Sequence, residues 1–348
     1  MVGYATGRFT APPPPPEERE LEPIKIGMSL PLTGWGASYG DLYKKGALLA
    51  IDEINAKGGI LGRKIEYIIL DAEDMTPEKV RRNFERLGAE GVDAIICGYH
   101  AGVGGGIDYE TAAEIGVPYL HVNTFHKSEE WQLENPGKYW MCFQCDVVET
   151  HYATVMGWYF NHLVETGQWN PPNRKVAIIT SDNPYGIWIA EHFRDYMNAS
   201  GWEISYYDQA IVPCVEWGPF LSHIRADPPA IIFNTDYAMD DIASFTLQFL
   251  ENPTNSLLYL QAVPGLPEFF DLVGDKADGA LWSVCCSITP DEVGNAYKER
   301  FKAKWGHEAS WVDAQTYDEI YLYAHAVSLA GDPKNYTRVC EELKHLIY

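Results

Sequence analysis

Residues Ile24–Ile60 read IKIGMSLPLTGWGASYGDLYKKGALLAIDEINAKGGI. An apolar, strand-like run (Ile24–Leu30) leads into a loop rich in glycine and proline, then into a helical pattern that stops at Gly58-Gly59. Leu42, Leu49, Ile51 and Ile54 give the helix an apolar face, and Asp52 and Glu53 face outward. This order makes a βα unit. Its loop falls at the carboxyl end of the strand, where open α/β sheets bind ligands.

Outward from this unit, strand and helix signals alternate, the pattern of parallel sheets covered by helices. Strands are expected at 64–70, 93–97, 117–122, 139–143, 175–180, 203–207, 230–234, 257–261 and 280–283. Helices are expected at 76–87, 107–115, 151–166, 185–199, 219–226, 239–250, 291–305 and 313–329. A chain of 348 residues is long for one core and suits two domains. Two α/β blocks of similar size meet near residue 145 with no long linker between them. Residues 1–23, with five consecutive prolines at Pro12–Pro16, read as a disordered Pro-rich linker. They fit either a plain tail or the trimmed end of a signal or membrane anchor.

Lys and Arg number 26 against 49 Asp and Glu, so the formal net charge is 26 − 49 = −23. Such a surface repels phosphate backbones and argues against nucleic acid as a partner. Seven cysteines include Cys142-Phe-Gln-Cys145, but this segment reads as extended, whereas a redox C-x-x-C opens a helix. No second such pair or nearby His pair completes a zinc site, so structural thiols are expected and no metal. The chain carries neither the G-x-x-x-x-G-K-[ST] loop nor H-E-x-x-H, and Gly102–Gly106 lacks the spacing of a dinucleotide loop. No cofactor is expected.

The opening stretch resembles that of the leucine/isoleucine/valine-binding family, the type I solute-binding proteins of ABC transporters. The resemblance rests on Pro31-Leu32-Thr33-Gly34, on Tyr39-Gly40, and on Ala50, Ile54, Asn55, Gly58, Gly59 and Ile60. It continues in Asp182-Asn183-Pro184-Tyr185-Gly186 and in the run Trp311–Gly331. The fold it implies is two Rossmann-like, doubly wound α/β domains joined by a three-crossing hinge. The crossings are expected near 143–147, 282–287 and 308–316. The expected N-terminal lobe is 24–145 plus 284–315, and the C-terminal lobe is 146–283 plus 316–348.

The resemblance also implies a ligand site between the lobes. Its expected contacts are Trp35, Tyr39, Tyr99, His100, Ala101, Gly102, Asn123, Thr124, Tyr185, Asp236 and Tyr237. Phe125 and His126 are further candidates beside them. Backbone N–H groups near Gly102, with Asn123 and Thr124, suit a carboxylate or amide oxygen. Asp236 suits an ammonium or hydroxyl. The aromatic set suits a ring or a cation. Relatives that bind amino acids place a Glu after the strand at 257–261, and none stands at Gln261–Pro264 here. Leucine, isoleucine and valine are therefore expected to bind weakly, and a bulkier body with one oxygen-rich end to bind better.

The resemblance thus implies a non-enzymatic extracytoplasmic binding protein, periplasmic or extracellular, for a small polar or aromatic-bodied ligand. An amino acid, an aromatic acid or an amide would qualify. An ABC permease and its ATPase are the implied partners, and membrane contact would come only through an N-terminal anchor. The alternative is a ligand-sensing regulatory or receptor module on the same fold.

Overall fold

The structure, a computed structural model, describes residues 21–100 and 105–346. Residues 1–20 of the expected linker at 1–23 and the expected contacts Ala101 and Gly102 lie outside the described residues. Two parallel sheets organise the chain. The first contains β1 (Ile24–Leu30), β2 (Ile65–Asp71), β3 (Ala94–Cys97), β4 (Tyr119–His121) and β5 (Cys142–Gln144), in the order β2-β1-β3-β4-β5. Helices α1 (Ala37–Ala56), α2 (Pro77–Ala89), α3 (Ile107–Ile115) and α4 (His126–Glu134) connect its strands. The second contains β6 (Lys175–Ser181), β7 (Glu203–Ala210), β8 (Ile231–Asn234) and β9 (Leu257–Leu260), in the order β7-β6-β8-β9. Its helices are α5 (Thr150–Glu165), α6 (Pro184–Ala199), α7 (Gly218–Ala226), α8 (Met239–Glu251) and α9 (Pro267–Val273). The chain closes with α10 (Glu292–Trp305), α11 (Trp311–Ala330) and α12 (Tyr336–His345).

β1 is covered on both faces: Ile24, Ile26, Met28 and Leu30 are buried on one, and Gly27 and Ser29 on the other. Its loop is pinned by Asp71, whose carboxylate accepts hydrogen bonds from the Leu32, Thr33 and Glu73 backbone N–H groups and the Thr33 hydroxyl, at 2.7–3.2 Å. Gly40 then passes so near the Pro31 carbonyl oxygen that an added Cβ would lie 2.0 Å from it. Only glycine permits that turn onto α1, so the Tyr39-Gly40 pair positions the tyrosine as well as the helix.

Gly46, further along α1, permits a second close approach. A Cβ there would meet the Asp313 carbonyl oxygen at 1.9 Å, so α1 and α11 pack backbone to backbone. The Thr316 hydroxyl donates to the Tyr43 carbonyl at 2.7 Å, and Glu53 on α1 receives Arg300, Tyr317 and Tyr321. α12 packs on α11, and Lys334 just before it pairs with Asp93 beside β3.

These contacts correct two expectations. Residues 316–346 belong with the first sheet, not the second lobe. The passage expected at 308–316 also stays within the first lobe, because α10 and α11 both lie on α1. Among the described residues the chain passes between sheets after β5 and again after Leu281. The expected strand at 280–283 reduces to one bridge, Tyr259 to Leu281. α4 was not expected because its sequence, HKSEEWQLE, carries no apolar stripe. All seven cysteines are free thiols.

Candidate functional site

The loops that leave the carboxyl ends of β1, β3 and β4 face those that leave β6 and β8. Between them lies a cleft lined from the first lobe by Pro31, Trp35, Gly36, Tyr39, Tyr43, Met75, Tyr99, Val122, Thr124 and Trp311. Tyr152, Tyr185, Tyr237 and Ala262 line it from the second. Tyr237 is the meeting point. Its hydroxyl accepts from the Tyr99 hydroxyl at 2.9 Å, and its carbonyl accepts from the Tyr39 hydroxyl at 3.2 Å. Its ring meets Trp35, Tyr99 and Tyr185 edge-on, with centroids 5.1–6.0 Å apart. Such T-shaped pairs match the positive ring edge to the negative face.

The lobes are therefore closed on each other, and the rings leave a cavity of about 30 Å³. No charged side chain lines it among the described residues. Burial raises the pKa of Tyr39, Tyr43, Tyr99, Tyr152, Tyr185 and Tyr237, so all six hydroxyls stay neutral donors. The wall is also strained. Met75, Thr124 and Ala262 have φ of 50–59° without being glycine, and all three line the cavity. Left-handed backbone at such residues costs free energy and concentrates at binding and catalytic sites.

Of the expected contacts, Trp35, Tyr39, Tyr99, Thr124, Tyr185 and Tyr237 meet around this cavity. His100, Asn123 and Asp236 do not line it. His100 is buried edge-on to Phe84. The Asn123 carboxamide accepts from the His100 N–H at 2.7 Å and donates to Asp108 at 3.1 Å, so it holds the loop after β3. Asp236 accepts from the Ala238 N–H at 3.0 Å, at the start of α8, and burial pushes its carboxyl up to about 7. Phe125 packs on His126 and Trp131, away from the cavity.

Tyr43, Tyr152 and Trp311 were not expected. Tyr43 follows Tyr39 by four residues on α1, so both point from one helix face, and this spacing is legible in the sequence. Tyr152 and Trp311 reach the cleft from the hinge side, and no local signal marks them. Thr124 links cleft to hinge: its hydroxyl donates to Asp146 at 2.6 Å, and Asp146 also accepts from Gln315 at 2.6 Å.

A second contact closes the lobes at the side. His126, at the start of α4, stacks on Trp188 of α6, with centroids 3.5 Å apart and planes 10° from parallel. Glu149 accepts from the His126 backbone N–H at 2.6 Å and meets its Nδ1. Burial pushes the Glu149 carboxyl up to about 8 and the His126 imidazole down to about 4. Both partners are therefore neutral near pH 7.

Gly36-Ala37-Ser38-Tyr39-Gly40 spells the letters of a serine-hydrolase elbow. Ser38, however, sits inside α1 and hydrogen-bonds to no histidine or carboxylate among the described residues. Among those residues no group of three or more His, Cys, Asp and Glu is placed to hold a metal ion, and no helix is long and apolar enough to cross a membrane.

Residues 23–346 match the family described as periplasmic binding protein. A Leu/Ile/Val-binding protein homologue of Brucella abortus is 27% identical over 324 residues, covering 92% of this chain and 82% of the relative. A solved structure of a putative branched-chain amino acid ABC transporter protein from Silicibacter pomeroyi superposes with a TM-score of 0.83 at 35% identity, covering 94% of this chain and 84% of that one. The branched-chain amino acid transporter substrate-binding protein LivJ of Streptococcus pneumoniae, solved with isoleucine, shares the fold with a TM-score of 0.77 at 21% identity, covering 92% and 87%. The two-lobed parallel α/β fold, the cleft at the strand ends and the match over nearly the whole chain together place this protein in the periplasmic binding protein family, homologous to the substrate-binding proteins of branched-chain amino acid ABC transporters.

Proposed function

We propose that the chain captures a small uncharged ligand, of the size and type of a short amide or urea, without chemical conversion. In this reading it works in the periplasm and hands its ligand to an ABC permease and its ATPase. The observation that carries the ligand class is the cavity wall, with six neutral tyrosine hydroxyls, Thr124 and no charged side chain among the described residues. An amino-acid zwitterion needs a counter-charge for its ammonium once water is excluded, because an unpaired buried charge is costly. Neither carboxylate beside the cleft lines the cavity: Asp146 lies behind Thr124, and Asp236 accepts from the Ala238 N–H at the start of α8. A planar amide has acceptor and donor groups that hydroxyls can serve, and its body fits against aromatic faces.

A thermal-shift screen tests this reading. Acetamide, propionamide, urea, leucine, isoleucine and benzoate are each added to the purified full chain. A ligand that binds the folded state alone raises the melting temperature with concentration. Acetamide, propionamide or urea should do so, and leucine and benzoate should not. A shift with leucine and none with any amide would overturn the ligand class.

A further inference from the structure

The contact between His126 and Glu149 is made across the lobes. His126 opens α4 in the first lobe, and Glu149 stands at the N-cap of α5, the first helix of the second. Glu149 is fully buried. One of its oxygens accepts from the His126 backbone N–H at 2.6 Å, and the other meets the imidazole Nδ1. Trp188 of α6 covers the imidazole face by stacking on it, and the buried Nε2 has no partner among the described residues. Since His126 belongs to one lobe and Glu149 and Trp188 to the other, this arrangement exists only while the lobes are together.

No lysine or arginine pairs with Glu149 among the described residues. On α4, Lys127 pairs with Glu130 at 2.6 Å and lies 5.9 Å from the Trp188 ring centre, and Glu129 is exposed. On α6, His192 packs on Trp188 and meets its carbonyl at 2.9 Å, and Tyr185 stays neutral. On α5, His151 is exposed and meets the Val148 carbonyl. At the hinge, Asp146 accepts from Thr124 and Gln315. A buried carboxylate without a counter-charge is costly, and a proton removes the cost. Burial pushes the Glu149 carboxyl up to about 8 and the His126 imidazole down to about 4, so the closed pair carries one proton, on Glu149. When the lobes part, both groups return to water and to their ordinary values, 4.5 and 6.5. The open pair then carries one proton between pH 4.5 and 6.5, on His126, and none above 6.5.

We propose that the lobes close with the uptake of one proton from solvent, which Glu149 holds against His126 Nδ1, and that opening returns it. Ligand capture is thereby coupled to pH. Closure is favoured on the acidic side of neutral and weakens as pH rises past 6.5. The apparent affinity follows, because it falls as the closed, binding-competent state becomes rarer. The proposal rests on the capture function only through the opening and closing of the lobes, and not through the ligand class.

The test is single-molecule FRET on the full chain without ligand, with one dye on each lobe, across the pH range. The closed-to-open ratio should be nearly level from about pH 5 to 6 and fall about tenfold from pH 6 to 8, as linkage to one proton requires. Glu149→Gln cannot take up the proton, so its ratio should stay level above about pH 6.5. His126→Phe keeps the stack on Trp188 and the backbone N–H, but removes the group that holds the proton in the open form. Its fall should therefore begin near pH 4.5. Asp236→Asn removes another buried acid, whose pKa is about 7, and should leave the profile of the unmodified chain in place. A ratio constant from pH 6 to 8 would overturn the proposal. So would an unchanged fall in Glu149→Gln, a fall that still begins near pH 6.5 in His126→Phe, or a fall abolished by Asp236→Asn. Absence of amide binding in the thermal-shift screen would instead strike the ligand class and leave this profile untouched.

Discussion

The Tyr99 hydroxyl donates to the Tyr237 hydroxyl at 2.9 Å, tying a loop of the first lobe to a loop of the second. Both groups are buried, so the bond is sheltered from water when the lobes close. A hydrogen bond of this kind contributes about 0.5–1.5 kcal/mol net. Tyr99→Phe and Tyr237→Phe should each shift the lobes toward the open form. The double variant should add little to either single change, giving a coupling energy of about 0.5–1.5 kcal/mol in a double-mutant cycle. Single-molecule FRET between dyes on the two lobes reads that equilibrium. Strictly additive effects would mean that the two hydroxyls do not act as a pair.

The His126–Glu149 contact gives a pH dependence whose sign follows from both shifts. Glu149 has a folded pKa raised from 4.5 to about 8, so its contribution is present below pH 4.5 and fades as pH rises toward 8. His126 has a folded pKa lowered from 6.5 to about 4, so its contribution grows as pH rises from 4 to 6.5. The two oppose each other between 4.5 and 6.5, and above 6.5 only the loss from Glu149 remains. The melting temperature should therefore fall between pH 6.5 and 8. Glu149→Gln, which stays neutral throughout, should flatten that region of the profile. An equally steep fall in the variant would assign the effect to other buried acids, such as Asp236.

Gly46 is the contact that fixes α11 to the first lobe. Gly46→Ala places a methyl 1.9 Å from the Asp313 carbonyl, so the helices must separate. The expected destabilisation is about 3 kcal/mol, at the upper end for overpacking. Gly137→Ala serves as a control, since nothing lies within 4 Å of its added Cβ and its φ is not positive. Chemical denaturation of both variants decides the point. Equal stabilities would show that α11 does not pack as described.

The sequence carries the fold wherever local pattern decides it. The alternation of strands and helices, the Gly40 turn and the six cleft residues at strand ends are legible because a strand's carboxyl end is a position in the chain. Tyr43 was legible too, through its spacing from Tyr39. Direction is harder to read. Asn123 and Asp236 stand beside the cleft in sequence, but their side chains turn into their own lobes, to the β3 loop and to the start of α8. The lobe to which 316–346 belongs was not legible either. α11 is apolar on more than one side, and its partner is chosen by the missing side chain at Gly46, some 270 residues away. Trp311 and Tyr152 reach the cleft through the hinge, which only the tertiary structure brings together.

The central claim is that a neutral aromatic cleft selects a small uncharged ligand over an amino acid. Isothermal titration calorimetry of the full chain against acetamide, urea and leucine at pH 7 tests it most directly. An ammonium buried without its counter-charge loses roughly 2–5 kcal/mol, so leucine should bind at least about 30-fold more weakly than acetamide or urea. Saturable heat with acetamide or urea, lost in Tyr237→Ala, is the predicted result. A sub-micromolar Kd for leucine, with no heat from either small ligand, would contradict it.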